Sequence, residues 1–362
     1  MKMRRTSCRR QKVFAGLALA VFLSSATAAD DYFAGYGLSP ASQPVDIGAQ
    51  PLGYPSGVIS AVMQHDRLLK KALADTQQPL AMHPFRRGAD MISLLKDRRL
   101  DAGLLGDMPT ILAASTGNVW IVGLVKQTST AIVAKGDTQV SGLVGKRVGY
   151  VEASSAHHTL LQGLASAGIA EAQIKRVALG VGDMPDALER GDIDAFAGWE
   201  PAPTIALEKS DKNHIVFRGL STDYFVIERE FEKRSPQAAR HVVAGFLRAI
   251  EWMRRSQRNV EKAARWAKLN TESFSGKVTP ISVAQIGAIT RREILDVPSA
   301  PTIMSISGIP PLRNEFQFLQ KLGKLPEGAK WENVQAALTY DGLVRVLAEP
   351  RAFQLRSFDY ED

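Results

Sequence analysis

Two adjacent serines, Ser154 and Ser155, stand where a strand-like run, Arg147 to Val151, gives way to a helix-like one that begins at Ala156-His157. Backbone amides at a helix start, joined by a serine hydroxyl, form a receptor for an anionic oxygen. The same pattern also fits plain N-capping. Gly53 to Gly57 and Phe85 to Ala89 are further strand-to-helix loops with small residues. Arg86 and Arg87 offer cations to an anionic head group, although adjacent side chains point different ways and the pair equally fits solvated surface charge. Trp199 lies on a Gly-x-x-Pro loop after an apolar run, which fits either a wall for an apolar ligand tail or a core position. Glu200, Asp107 and Asp223 fit partners of a ligand amine or helix caps. Patterns for bond-making chemistry are near-misses. There is no Gly-x-Ser-x-Gly elbow. The histidines, at 65, 83, 157, 158, 214 and 241, show neither the i, i+4 nor the His-x-Glu spacing of a zinc site. Gly142-Leu-Val-Gly145-Lys146 lacks the spacing of a phosphate loop, and Gly180-Val-Gly182 has Pro185 where a dinucleotide turn needs its third Gly. Asp and Glu are plentiful but form no constellation that singles out a carboxylate pair. No metal or cofactor site is expected.

The elements that must position these loops come in two similar sets. Asp101-Ala-Gly-Leu-Leu-Gly-Asp-Met-Pro109 and Asp194-Ala-Phe-Ala-Gly-Trp-Glu-Pro201 each follow a helix-like stretch and each end in Gly-x-x-Pro. A helix, a short apolar strand and a Gly/Pro loop thus appear once in each half of the chain. Two α/β lobes facing each other across a cleft leave this trace, and loops at strand C-termini line such a cleft. Strands are expected at 44–50, 80–83, 101–105, 120–125, 129–134, 147–151, 175–179, 193–197, 215–219 and 224–227, with helices between most of them and a helical C-terminal region from Pro236. Alternating strands and helices imply parallel sheets with right-handed crossovers. Chain order makes 136–222 an inserted second lobe. The first lobe is then 44–135 and 223–362, and 30–43 reads as a flexible leader rich in Gly, Ser and Pro.

Residues 2–12 carry six cations, 13–29 carry no charge, and Ala26-Thr-Ala28 and Thr27-Ala-Ala29 place small residues at a cleavage site. Residues 1–29 are therefore expected to be a secretory signal, too short to span a bilayer. The one Cys, Cys8, precedes the apolar run, so it is not the Cys of a lipoprotein signal. The full chain has 45 Lys+Arg against 37 Asp+Glu; without the six signal cations the balance is 39 against 37. The basic charge belongs largely to the export signal and does not imply a nucleic-acid or membrane surface. The sequence after the signal contains no Cys, which excludes a disulfide, a thiolate nucleophile and a Cys-ligated metal there. No later segment has the eighteen or more apolar residues of a membrane span.

The stretch Lys146-Arg-Val-Gly-Tyr-Val-Glu-Ala-Ser-Ser-Ala-His-His-Thr-Leu-Leu, with Asp183 to Ala195 and Trp199-Glu-Pro201, resembles the periplasmic binding proteins of ABC importers for nitrate, taurine and aliphatic sulfonates. Leu94 to Pro109 and Thr222 to Phe231 resemble the same family, and the resemblance covers roughly residues 45–270. It implies a two-lobed periplasmic binding protein fold with a ligand cleft lined by Tyr54, Gly57, Arg86, Arg87, Gly88, Ala89, Gly106, Asp107, Met108, Pro109, Ser154, Ser155, His157, Trp199, Glu200, Thr222, Asp223 and Tyr224. Two positions depart from the family pattern: Ala153 stands where Gly is usual, and Arg98-Arg-Leu replaces a Gly-containing turn. The Pro-rich segment 295–312 matches nothing in the family. The fold's pyrimidine-precursor synthases carry a cysteine-rich active site, which this chain lacks. The expected protein is a monomeric, exported, non-lipidated receptor for a small organic anion, with no catalytic residue. Its partners would be a membrane permease and its cytoplasmic ATPase. The rival readings are an exported enzyme using carboxylates such as Glu200 or Asp223, and a receptor that feeds a sensor.

Overall fold

The computed structural model describes residues 32–40, 42–296 and 312–361. The expected export signal and nearly all of segment 295–312 lie outside the described residues. The chain begins its regular structure with β1 (Val45–Ala49), α1 (Ser56–Gln64), α2 (Arg67–Asp75), β2 (Leu80–Pro84), α3 (Ala89–Lys96), β3 (Ala102–Gly106) and α4 (Asp107–Ser115). A long strand, β4 (Val119–Lys135), leads to β5 (Arg147–Tyr150), α5 (Ser155–Ser166), β6 (Lys175–Ala178), α6 (Met184–Arg190), β7 (Ala195–Gly198) and α7 (Ala202–Lys209). A second long strand, β8 (Asn213–Glu228), returns. Helices follow: α8 (Arg229–Arg234), α9 (Pro236–Arg255), α10 (Gln257–Ser275), α11 (Val283–Thr290), a π-turn over Arg291–Leu295, α12 (Arg313–Lys321), α13 (Trp331–Ala337) and α14 (Gly342–Ala348).

The strands form one mixed sheet in the order β2-β1-β3-β8-β4-β7-β5-β6. In the first half β1 pairs in parallel with β2 and β3; in the second, β5 pairs in parallel with β6 and β7. The long strands are antiparallel to each other, and each adds to one half: β8 to β3, β4 to β7. Both halves therefore repeat one plan, and the α/β architecture expected from the sequence is the one observed, with the strands of the two halves joined in one mixed sheet rather than in a separate sheet for each lobe. Each long strand was expected as two short ones. Lys126 and Gln127 interrupt the apolar pattern of β4, and Gly219 to Thr222 interrupt that of β8, but the backbone pairing runs through both. Lys126 to Thr130 pair only with Gly219 to Asp223 at this level. The first crossing between halves thus lies earlier in the chain than residue 135.

Each half has its own core. In the first, Val242, Val243, Phe246, Ile250 and Met253 form one apolar face of α9, and Phe246 stacks on Phe225 of β8 at 4.8 Å. In the second, Ile132 packs with Leu160 and Leu164 of α5, while its neighbour Val133 packs on the opposite face with Met184 and Leu188 of α6. The part of the expected flexible leader after Gly35 is fastened down. Tyr36 donates its hydroxyl to the Pro84 carbonyl at 2.7 Å and stacks on His83, and Leu38 is buried. An aromatic ring with a satisfied hydroxyl gives the segment the anchor that its Gly and Ser content hid.

Candidate functional site

The repeated phrase is a repeated structure. Arg98 and Gly191 occupy the same left-handed turn after α3 and α6, at φ +61° and +74°. The next amide returns to the helix in both: Arg99 to the Leu94 carbonyl at 2.7 Å, Asp192 to the Ala187 carbonyl at 2.9 Å. The aspartate then ties its strand to the central one. Asp101 Oδ2 accepts the Asp46 amide at 2.9 Å, and Asp194 Oδ2 accepts the Arg147 amide at 2.8 Å. These ties fix the registers of β3 and β7. They send Gly106 and Gly198 to the C-terminal ends of parallel strands, where open α/β sheets bind ligands.

A cavity of about 440 Å³, including its open mouth, lies at those strand ends between the two halves of the sheet. Of the expected site residues, Tyr54, Gly88, Gly106, Pro109, Ser154, Ser155, Trp199 and Asp223 line it. Ser154 is the N-cap of α5: its hydroxyl donates to the Val151 carbonyl at 2.6 Å and accepts the His157 amide at 3.2 Å. Ser155 points elsewhere. A methyl group on Gly106 would sit 2.0 Å from the Ser155 hydroxyl and 3.6 Å from Asp223 Oδ1, so Gly106 has room for no side chain. Ala153, in the turn before the serines, has φ +54°, the left-handed region that explains why glycine is usual there.

The remaining expected residues do not line this cavity. Gly57 lies against the Gln50 carbonyl and permits close approach of the two backbones. Arg86 is exposed, and Arg87 pairs with Asp90 at 2.7 Å. Ala89 opens α3 outside the wall. Met108 and Tyr224 are buried core side chains. His157 turns toward Glu171, at 2.9 Å, and accepts the Ala153 amide. Burial lowers its pKa against the pull of Glu171. Glu200 receives the Thr204 hydroxyl at 2.7 Å, and its backbone carbonyl accepts the Tyr54 amide across the cleft at 2.9 Å. The Thr222 amide donates to Asp107, which is itself buried 3.6 Å from His158, an ion-pair distance too long for a hydrogen bond.

Gln50, Lys126 and Ser221, which sequence reasoning missed, stand in the wall with Gly53 and Ser56, which it named only as part of the Gly53 to Gly57 loop. Lys126 is only 3% exposed. Register explains its place: Gly106, Asp223 and Lys126 form one row across β3, β8 and β4, and Ser221 stands opposite Thr128 further along the β4–β8 pair. The Lys126 ammonium lies 3.7 Å from Asp223 and 3.9 Å from Glu293, on the π-turn. Ser56 donates its hydroxyl to Asp223. Burial opposes the charge on Lys126, but the carboxylates around it outweigh that and raise its pKa. Burial also pushes the Asp223 and Glu293 carboxyls up despite Lys126. Both directions follow when several carboxylates share one ammonium: the cation gains from all of them, and each anion gains little. The Ser221 hydroxyl is buried with no hydrogen-bond partner. With Ser155, the start of α5 and Lys126, it makes a wall suited to hold a small polar ligand. A lysine between two apolar β-branched runs was the available signal.

Comparison with known proteins agrees with the architecture. The putative aliphatic sulfonates-binding protein of Escherichia coli (strain K12) is 30% identical over 163 residues, 43% of this chain and 50% of that protein. The taurine-binding periplasmic protein of the same organism is 28% identical over 199 residues, 50% of this chain and 62% of that protein. The matched region thus spans about half to three-fifths of those relatives. The alkanesulfonate-binding protein SsuA from Xanthomonas axonopodis pv. citri, solved bound to MOPS, shares the fold with a TM-score of 0.63 at 21% identity, over 82% of this chain and 99% of that one. The NMT1-like family profile matches residues 71–268, more than half of the sequence. On that match, this chain belongs to the NMT1-like family.

Proposed function

We propose that the protein is the extracytoplasmic substrate-binding component of an ABC importer, a monomer that closes on a small organic anion of the sulfonate, taurine or nitrate kind and makes or breaks no bond. It would deliver the ligand to a membrane permease driven by a cytoplasmic ATPase, and it would reside in the periplasm without a lipid anchor. The observation that carries this reading is the cavity between the halves, walled by Ser155 at the start of α5 and by the unpartnered hydroxyl of Ser221. Amides at a helix start suit an anionic oxygen. No described helix is long and apolar enough to cross a membrane. The paired segment Lys126 to Thr130 with Gly219 to Asp223 supplies the hinge, and a ligand touching both halves shifts the population toward the closed form. Native mass spectrometry of protein purified without refolding should reveal a retained small anion. Small-angle scattering should show the radius of gyration falling when that anion is added back. An unchanged radius at saturating ligand, with binding confirmed separately, rules the hinge out.

A further inference from the structure

A buried titratable pair spans the two halves behind the cavity. His158 of α5, in the second half, meets α4 and α12, which pack on each other in the first. Its Nδ1 lies 3.6 Å from Asp107 Oδ1 on α4, and its ring packs 5.6 Å from that of Phe318 on α12. Both side chains of the pair are at most 2% exposed. Neither ring nitrogen has a hydrogen-bond partner. Asp107 is fixed by other groups: it accepts the Met108 amide at 2.6 Å and the amide of Thr222, in the hinge segment of β8, at 3.4 Å. Ser155, one turn before His158 on α5, abuts Gly106 with no room for a side chain between them. Opening the cleft draws Ser155 away from Gly106, and His158 with it away from Asp107.

On the hinge-closure reading above, we propose that His158 is a proton-binding site linked to closure: the receptor takes up a proton as it shuts, and it holds its ligand more tightly at neutral than at alkaline pH. In the open form water reaches the ring, which then titrates near its ordinary value of about 6.5. In the shut form burial opposes the charge on the ring, but Asp107, and after it Glu315 of α12, outweigh burial and hold the pKa higher. Between the two values the shut form carries more proton than the open form, so closure draws a proton in; above both values this contribution is lost. The neutral shut form also keeps both ring nitrogens dry and unpaired. The other groups around the pair leave this range to His158. Lys126 of β4, where carboxylates outweigh burial, and Tyr224 of β8, raised by burial, both act on Asp107 and keep their protons. Asp223 of β8 also faces Asp107, and it pairs with Lys126. His157 on α5 engages Glu171, with Tyr150 of β5 against its ring, and burial lowers its pKa, so it is already neutral.

NMR titration of histidine-labelled protein from about pH 5 to 10 tests this. The His158 signal is identified by its loss in His158→Gln or by its displacement in Asp107→Asn. Residues 30–362 contain no Cys. Asp183→Cys with Lys277→Cys, at residues that pair between the halves at 2.8 Å, therefore accepts a short bismaleimide that holds the halves shut. Held shut, His158 should bind its proton roughly 5- to 30-fold more tightly than in the uncrosslinked protein, and Asp107→Asn should abolish the difference. Calorimetry with ethanesulfonate in two buffers of different ionisation enthalpy should show proton uptake on binding at about pH 7.5, and none in His158→Gln. Equal proton affinity in the two states, or ethanesulfonate that binds without proton uptake, overturns the proton link and leaves the binding function standing. If ethanesulfonate does not bind, the NMR comparison decides alone. A crosslinked protein with the radius of gyration of the free protein at every pH overturns the hinge and the proton link together.

Discussion

Ser154 and Ser155 are neighbours with separate tasks. The Ser154 hydroxyl is spent within the loop, on the Val151 carbonyl and the His157 amide. The Ser155 hydroxyl faces the cavity beside Gly106. Ser154→Ala should therefore cost about 1 kcal/mol of stability, the usual value of an N-cap, and leave affinity nearly unchanged. Ser155→Ala should leave the melting curve nearly in place and weaken ligand binding about tenfold or more, for one lost hydrogen bond to a charged group. Calorimetry beside a melting curve separates the two; weakened binding in the Ser154 variant alone contradicts the assignment. The sequence identified this pair because a helix start with small polar residues is a local signal. It could not divide the roles, since the direction of each hydroxyl depends on Gly106 in the other half of the sheet. Arg86 and Arg87 failed for the complementary reason. Their charge is visible in sequence, but the Asp90 that engages Arg87 one helical turn away removes it from the cavity.

At the level of elements, the doubled helix–turn–strand unit was legible because its turn, aspartate and Gly-x-x-Pro loop are all local. The continuity of β4 and β8 was not. Apolar alternation marks a strand that is covered on its faces, and it lapses at Lys126 to Thr130, where the strand pair stands between the two cores and part of its surface walls the cavity. The lapse, expected as a break, is where the strand pair walls the cavity. Within the repeat, one position is mismatched: Arg98 holds the left-handed conformation that Gly191 holds without strain. A non-glycine residue there pays roughly 1 kcal/mol. Arg98→Gly should then raise stability by at most about 0.5 kcal/mol, part of the relief being returned as extra freedom of the unfolded chain. Gly191→Ala should lower stability by about 1 kcal/mol. Denaturant melts of the two variants give the signs, and a destabilised Arg98→Gly would show that the arginine side chain contributes more than its backbone costs.

Across the whole molecule, several ion pairs tie the halves together. Lys277 meets Asp183 at 2.8 Å and Lys324 meets Glu171 at 2.5 Å. The first is solvent-exposed on both sides and contributes little. The pair of His158 on α5 with Asp107 on α4 differs, since both side chains are at least 98% buried and both elements reach the cavity. Burial opposes charge on His158, but Asp107, with Glu315 behind it, outweighs burial and raises the pKa. A histidine whose folded pKa is raised contributes stability that is fully present below its unfolded value of about 6.5. That contribution disappears as pH rises through the higher folded value. The neutral ring then keeps two buried nitrogens without hydrogen-bond partners, which adds to the loss on the alkaline side. The ring of Phe318 on α12 packs beside it, centroids 5.6 Å apart and tilted by 51°. The ligand-free protein should therefore lose melting temperature as pH rises from 6 to 9. His158→Gln, which has no titrating group, should follow a flatter curve over the same range and cross the wild type on the alkaline side. Parallel curves for the two proteins would mean that His158 stays neutral throughout, and that shape complementarity rather than charge joins α4 to α5 at this point.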